Sequence, residues 1–136
     1  MSMKVSIVIP NWNGSELLSK HLPATTAASG ISEVIVVDDA STDGSVELLH
    51  RQFPKVRVIK KDRHEGFAST VNAGVSQATG DIVVLLNTDC EPEKNFLQKL
   101  LPHFDESDVF AVGCMDKSME GNRVVLRGRG TAEWRR

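Results

Sequence analysis

The 136 residues carry 16 basic and 18 acidic side chains, a formal net charge of -2 and a pI of about 6.1. That balance supplies no global basic field, which argues against nucleic acid as a partner, and no apolar run nears the roughly 20 residues that cross a bilayer. With 40% hydrophobic residues the chain can bury one core, and residues 1–136 are expected to form a single domain.

The first expected strand is Val5-Ser6-Ile7-Val8-Ile9, which ends in Pro10-Asn11-Trp12-Asn13. A helix capped by Asn13 or Ser15 should follow, burying Leu17, Leu18 and Leu22 and bending or breaking at Pro23. Residues 33–37 read as a second strand that runs into Asp38-Asp39. The cluster Ser41-Thr42-Asp43-Gly44-Ser45 is a turn and helix cap, and the helix over 46–53 stops at Pro54. A short third strand covers 56–59, a charged loop covers 60–65, and a helix covers 66–77 with Phe67, Thr70, Val71 and Val75 near one face. The run Ile82-Val83-Val84-Leu85-Leu86 reads as a strand buried on both faces, and it ends in Asn87-Thr88-Asp89. Pro92 suits a first helical turn, with a helix over 93–104 turning Phe96, Leu97, Leu100 and Leu101 inward. Residues 109–113 and 124–126 are expected as fifth and sixth strands, the latter after the turn Glu120-Gly121-Asn122. Strands alternating with helices predict an α/β fold, a Rossmann-like, mostly parallel sheet flanked by helices. Ligands of such sheets gather outside the carboxyl ends of the strands.

Each polar strand end has a chemical and a structural reading. Asn87, Thr88 and Asp89 offer hard oxygen ligands for Mg²⁺ or Mn²⁺, while Asp89 equally suits the cap of a helix near Pro92. Asp38 and Asp39 can bond a ribose or accept an N–H from a base, or serve turn chemistry with Ser41 and Asp43. Trp12 can stack on a base or simply pack. Gly66 lets backbone approach a ligand or acts as a loop residue. Arg63, His64 and arginines 127, 129, 135 and 136 can meet phosphate or stay solvated. Cys90 and Cys114 suit a reducing compartment, and no charged-then-apolar leader opens the chain, so a cytoplasmic protein, soluble or peripheral to a membrane, is expected.

Taken in order, residues 5–13, the run from Val36 to Ser45, Gly66-Phe67-Ala68 with Asn72-Ala73-Gly74, and Gly80-Asp81 with Leu86-Asn87-Thr88-Asp89 resemble the blocks of family 2 glycosyltransferases. The resemblance implies the nucleotide-binding portion of the A-type glycosyltransferase fold, incomplete at the C-terminus. It implies an inverting, metal-dependent transfer of a sugar from a nucleotide-diphosphate sugar to a hydroxyl of a glycan or lipid-linked acceptor. By the same resemblance Pro10, Asn11 and Trp12 line the base pocket, and Asp38 and Asp39 address ribose and base, with Asp39 favoured for the base. A carboxylate there favours UDP- or dTDP-sugars, because uracil and thymine carry a proton on N3. Asn72 supports the loop over the sugar or diphosphate, Gly66 opens the same matched block as a nucleotide-sugar-binding residue, and Asn87-Thr88-Asp89 stands at the family's Asp-x-Asp metal motif, with Asp89 as metal ligand. Asn87 departs from that motif and adds no charge. Asp105, Glu106, Asp108 and Asp116 match no family base motif, so the general base is not assigned in this chain.

Other classes fit less well. A nicotinamide-binding oxidoreductase needs a glycine-rich turn after the first strand, and here that turn has only Gly14. A phosphate-accepting receiver needs its acid pair after the first strand, and Asp38-Asp39 follows the second. A non-catalytic nucleotide-sugar-binding module is the stronger alternative, with Val124, Leu126 and Trp134 forming an apolar edge for self-association or a partner.

Overall fold

A computed structural model describes residues 3–128, in two compact units that divide between Gln98 and Lys99. In the first unit, strands β1 (Val5–Asn11), β2 (Glu33–Asp38), β3 (Arg57–Lys60) and β4 (Ile82–Leu85) form a parallel sheet of order β3-β2-β1-β4. Helices α1 (Ser15–Ala27), α2 (Ser45–Gln52) and α3 (Phe67–Gln77) make the crossovers. Side chains alternate across a strand, so Ile7 and Ile9 pack with Val34, Val36, Leu18, Leu22 and Leu49 on one face, beneath α1 and α2. Val8, Ile35 and Val37 face the other way, against Ala73 of α3 and Ala78. Both faces of β1 and β2 are therefore covered, which is why their sequences are almost continuously apolar.

Gly74 sets the spacing between α3 and the sheet. A Cβ there would overlap Val8 Cγ1 and come within 2.8 Å of Val37 Cγ2. Gly74→Ala gains up to about 1 kcal/mol of helix propensity. Overpacking of this kind costs about 1–3 kcal/mol and should prevail. The urea midpoint of the variant is expected to fall.

Several elements differ from the expectations. α1 runs unbroken through Pro23, because Pro23 and Ser19, whose carbonyl loses its partner, are both exposed and water can serve that carbonyl. Neither Asn13 nor Ser15 caps α1 through its side chain; Asp43 instead accepts the Ser15 N–H at 2.8 Å. Leu17, Phe67 and Val75 are exposed, and α3 buries Thr70, Val71 and Gly74. Among the described residues β4 pairs with β1 alone, and it is half-buried rather than buried on both faces. Its following helix α4 (Phe96–Leu100) is short, with Leu97 buried and close to Gly30.

In the second unit a 3-10 helix over Leu101–Asp105 stands where α-helix was expected. Residues 109–113 form no strand, and Val109 instead donates its N–H to the Glu106 carbonyl. β5 (Asp116–Glu120) and β6 (Arg123–Arg127) form an antiparallel hairpin, not additional strands of the parallel sheet. Gly121, at φ 61°, and Asn122 supply the two-residue turn that favours this pairing. Val124 and Leu126 are exposed on it, while Trp134 and arginines 129, 135 and 136 lie outside the described residues.

Candidate functional site

β1 lies between β2 and β4, so chain direction reverses its progress across the sheet at the β1/β4 boundary. The crevice outside that boundary is where open α/β sheets bind ligands. Segment 11–14 leaves β1 there, and Asn87-Thr88-Asp89 follows β4. The two strand ends are close: a Cβ at Gly14 would sit 3.7 Å from Thr88 Cγ2 and 2.5 Å from Asn11 Oδ1.

The β1 and β2 ends are laced into one rigid rim. Asp38, fully buried, accepts the Asn11 side-chain N–H at 2.9 Å and the Ser41 backbone N–H at 2.9 Å. Asn13 accepts the Thr42 N–H at 2.8 Å, and its own N–H reaches Ser41 Oγ at 2.9 Å. Asn13 at φ 50° and Ala40 at φ 60° adopt left-handed backbone that side chains resist, strain of the kind that clusters at functional sites. Asn11 is buried as well, and its Oδ1 has no hydrogen-bond partner among the described residues. Pro10 is half-buried, whereas Trp12 projects outward with 56% of its surface exposed.

Asp39 is the hub of a second network. Its carboxylate accepts Lys61 Nζ at 2.8 Å and the backbone N–H groups of Glu65 and Gly66 at 3.0 and 2.8 Å, and it lies 2.7 Å from His64 Nδ1. Burial alone would push this carboxyl up, but Lys61 and the two N–H donors overrule it and hold it well below the usual carboxylate range. Lys61, itself largely buried, is raised despite desolvation, because Asp39 and Glu65 favour its charged form. Gly66 sits at φ 87° and ψ 178°, a region essentially reserved for glycine, which lets its N–H turn toward Asp39. The His64 ring stacks on Trp12 with centroids 4.3 Å apart and planes 25° from parallel.

The structure thus joins Pro10, Asn11, Trp12, Asp38, Asp39 and Gly66 in one connected rim, with Asn87, Thr88 and Asp89 at the neighbouring strand end. Asp38 cannot take the expected ribose contact as it stands, because both oxygens face Asn11 and Ser41 and none of its surface is exposed. Asn72 is exposed on α3, about 9 Å along the helix from Gly66, and takes no part in these networks. Asp89 is exposed, and α4 begins only at Phe96, seven residues later, so Asp89 does not cap it. Lys61 was read from sequence only as charged loop and His64 as a loop residue able to meet phosphate; their contacts with Asp39, and that of His64 with Trp12, were not anticipated. The signal for Lys61 was register: Asp38 pairs with Lys60, which brings the next residues, Asp39 and Lys61, side by side.

The profile of the family described as "Glycosyl transferase family 2" matches residues 6–135. The chain is 31% identical over 127 residues to a dolichol-phosphate mannosyltransferase of Pyrococcus furiosus, covering 90% of this chain and 35% of that protein. It is 35% identical over 137 residues to an undecaprenyl-phosphate 4-deoxy-4-formamido-L-arabinose transferase of Yersinia pestis, covering 95% and 40%. S. aureus TarS 1-349 in complex with UDP-GlcNAc superposes with a TM-score of 0.68 at 25% identity, over 76% of this chain and 32% of that one. The mannosyltransferase PcManGT from Pyrobaculum calidifontis, in complex with GDP-Man and Mn²⁺, gives a TM-score of 0.66 at 25% identity, over 83% and 34%. The chain therefore spans about 40% or less of the length of these relatives. With a parallel sheet, flanking helices and the profile match over nearly its whole length, this chain belongs to glycosyl transferase family 2.

Proposed function

We propose that this chain is the donor-binding portion of an inverting, metal-dependent glycosyltransferase that moves a sugar from a nucleotide-diphosphate sugar to a hydroxyl. The observation that carries this reading is the pairing of an exposed indole, Trp12, at the end of β1 with an exposed carboxylate, Asp89, at the end of adjoining β4. The base stacks against Trp12 and points its N–H edge toward Asp39. Asn11, Asp38 and Ser41 fix the rim that holds Trp12 and are not themselves ligand contacts. Asn87 and Thr88 flank the diphosphate.

Asp89, Thr88 and Asn87 present only oxygen and amide donors, a set that fits Mg²⁺ or Mn²⁺. Among the described residues no three His, Cys, Asp or Glu side chains gather to hold an ion, so Asp89 would share it with the donor's own phosphate oxygens. When bound, the ion neutralises the charge developing on the leaving diphosphate. Relatives named for dolichol phosphate and undecaprenyl phosphate favour a lipid-linked acceptor, and no helix among the described residues is long and apolar enough to cross a membrane. The exposed Val124 and Leu126 give the hairpin an apolar surface for self-association.

The test is a thermal-shift and calorimetric comparison of UDP, GDP and CDP, each with and without Mn²⁺. UDP or GDP is expected to bind best with Mn²⁺, since uracil N3 and guanine N1 carry protons and cytosine N3 does not. Equal binding of UDP and CDP would remove Asp39 as the group that reads the base. No binding of any of them, with or without Mn²⁺, would overturn the donor-site reading.

A further inference from the structure

We propose that His64 and the nucleobase compete for the same two contacts, so that His64 is a built-in rival of the donor and sets how tightly the site discriminates. The inference rests on the donor-site reading above. The imidazole covers one face of Trp12, the face-to-face contact a base would make. The same ring holds Nδ1 2.7 Å from Asp39 Oδ2, at the carboxylate that would meet a ring N–H of uracil or guanine. A flat ring that stacks on the indole and keeps a nitrogen against that carboxylate is a chemical stand-in for the base.

The other donors on Asp39 make this substitution feasible. Lys61 Nζ and the N–H groups of Glu65 and Gly66 hold the carboxylate and the loop in place without the imidazole. Half of the His64 side chain is exposed, so rotation of that side chain alone clears Trp12 and one acceptor site, with the loop backbone unmoved. A base that lacks the ring N–H, such as cytosine, displaces His64 and turns the lone pair of N3 toward the Asp39 carboxylate. His64 therefore raises the threshold for every base and raises it most for those that cannot replace its contact with Asp39.

Calorimetry of wild type and His64→Ala with UDP and CDP, both with Mn²⁺, tests this. Imidazole NMR signals of the wild type, recorded with and without saturating UDP, add a direct readout. His64→Ala is expected to bind UDP about five- to tenfold tighter, the scale of one released aromatic pair. In the wild type CDP should bind more weakly than UDP, and that ratio should shrink in His64→Ala. The ring-current shift that Trp12 imposes on His64 should vanish on UDP binding. Unchanged or weaker UDP binding by His64→Ala, with the imidazole still on Trp12 at saturation, would overturn the competition and leave the donor site standing. Failure of both proteins to bind either nucleotide would overturn the donor site and the competition together.

Discussion

Asp39→Ala is expected to be the most damaging single substitution in the first unit. It removes the acceptor for Lys61 and two backbone N–H groups, and the carboxylate beside His64, at once. Taking one partner from a buried charged network costs about 3 kcal/mol or more. The loss should appear as a lower urea midpoint, and with it loop 61–66 loses its anchor and nucleotide affinity falls. Asp39→Asn, which keeps the shape and one acceptor, should fall between the two. A midpoint within error of wild type for Asp39→Ala would show that the network carries no net stability.

The same carboxylate sets the acid limit of the fold. Its folded-state proton affinity lies below the ordinary value of 3.8, so at low pH the unfolded chain takes up the proton first. The stability it contributes is complete above that ordinary value and is lost as pH falls through the depressed folded one. Glu33 acts in the same direction from 4.5, lowered chiefly by the Ser6 hydroxyl and then by Thr79. Asp43 does so from 3.8, where burial is outweighed by Ser45 and Ser15. Urea midpoints should be flat above about pH 5 and decline below about pH 4.5, and the gap between wild type and Asp39→Ala should narrow there.

Asp89→Asn should behave in the opposite way, with stability intact and binding lost. Asp89 is exposed and caps no helix, so its replacement should change stability by no more than about 0.5 kcal/mol. In the proposed donor site it supplies the charged oxygen ligand of the Asn87-Thr88-Asp89 cluster, and Asn87, already an amide, cannot replace it. A nucleotide at 100 times its dissociation constant adds about 2.7 kcal/mol to the folded state. In Asp89→Asn the Mn²⁺-dependent part of that gain should disappear from the thermal shift, while Asn87→Ala should keep most of it. A variant that melts lower but retains its Mn²⁺-dependent affinity would place Asp89 in a purely structural role.

What was legible in the sequence followed burial. Val5 to Ile9 and Val34 to Val37 are apolar without interruption because helices cover both faces, and the strands and their polar ends could be read directly. Asp116–Glu120 could not, since neither face of that strand is buried and Asp-Lys-Ser-Met-Glu shows no apolar period. Residues 109–113 mislead for the converse reason, having a strand's composition and no strand partner among the described residues. At the site, the residue types at strand ends were visible, but not which atoms face inward. Asp38 and Asp39 look alike in sequence, yet one is closed off by Asn11 and Ser41 and the other faces Lys61 and His64. The stacking of His64 on Trp12 was not legible, because nothing local distinguishes a stacked imidazole from a solvated one.

The two networks also decide where an anion can go. A helix N-terminus carries roughly half a positive charge and commonly receives a phosphate. Here Asp43 accepts the first N–H of both α1 and α2, and Asp39 accepts the Glu65 and Gly66 N–H groups at the start of α3. All three long helices of the described chain thus meet a carboxylate of the protein's own at their positive ends. A pyrophosphate at any of these three ends meets a carboxylate of the protein already there, unlike in glycine-rich dinucleotide sites. In the proposed donor site the charge of the diphosphate would fall to a mobile cation or a side chain, and affinity for it would follow divalent-ion supply.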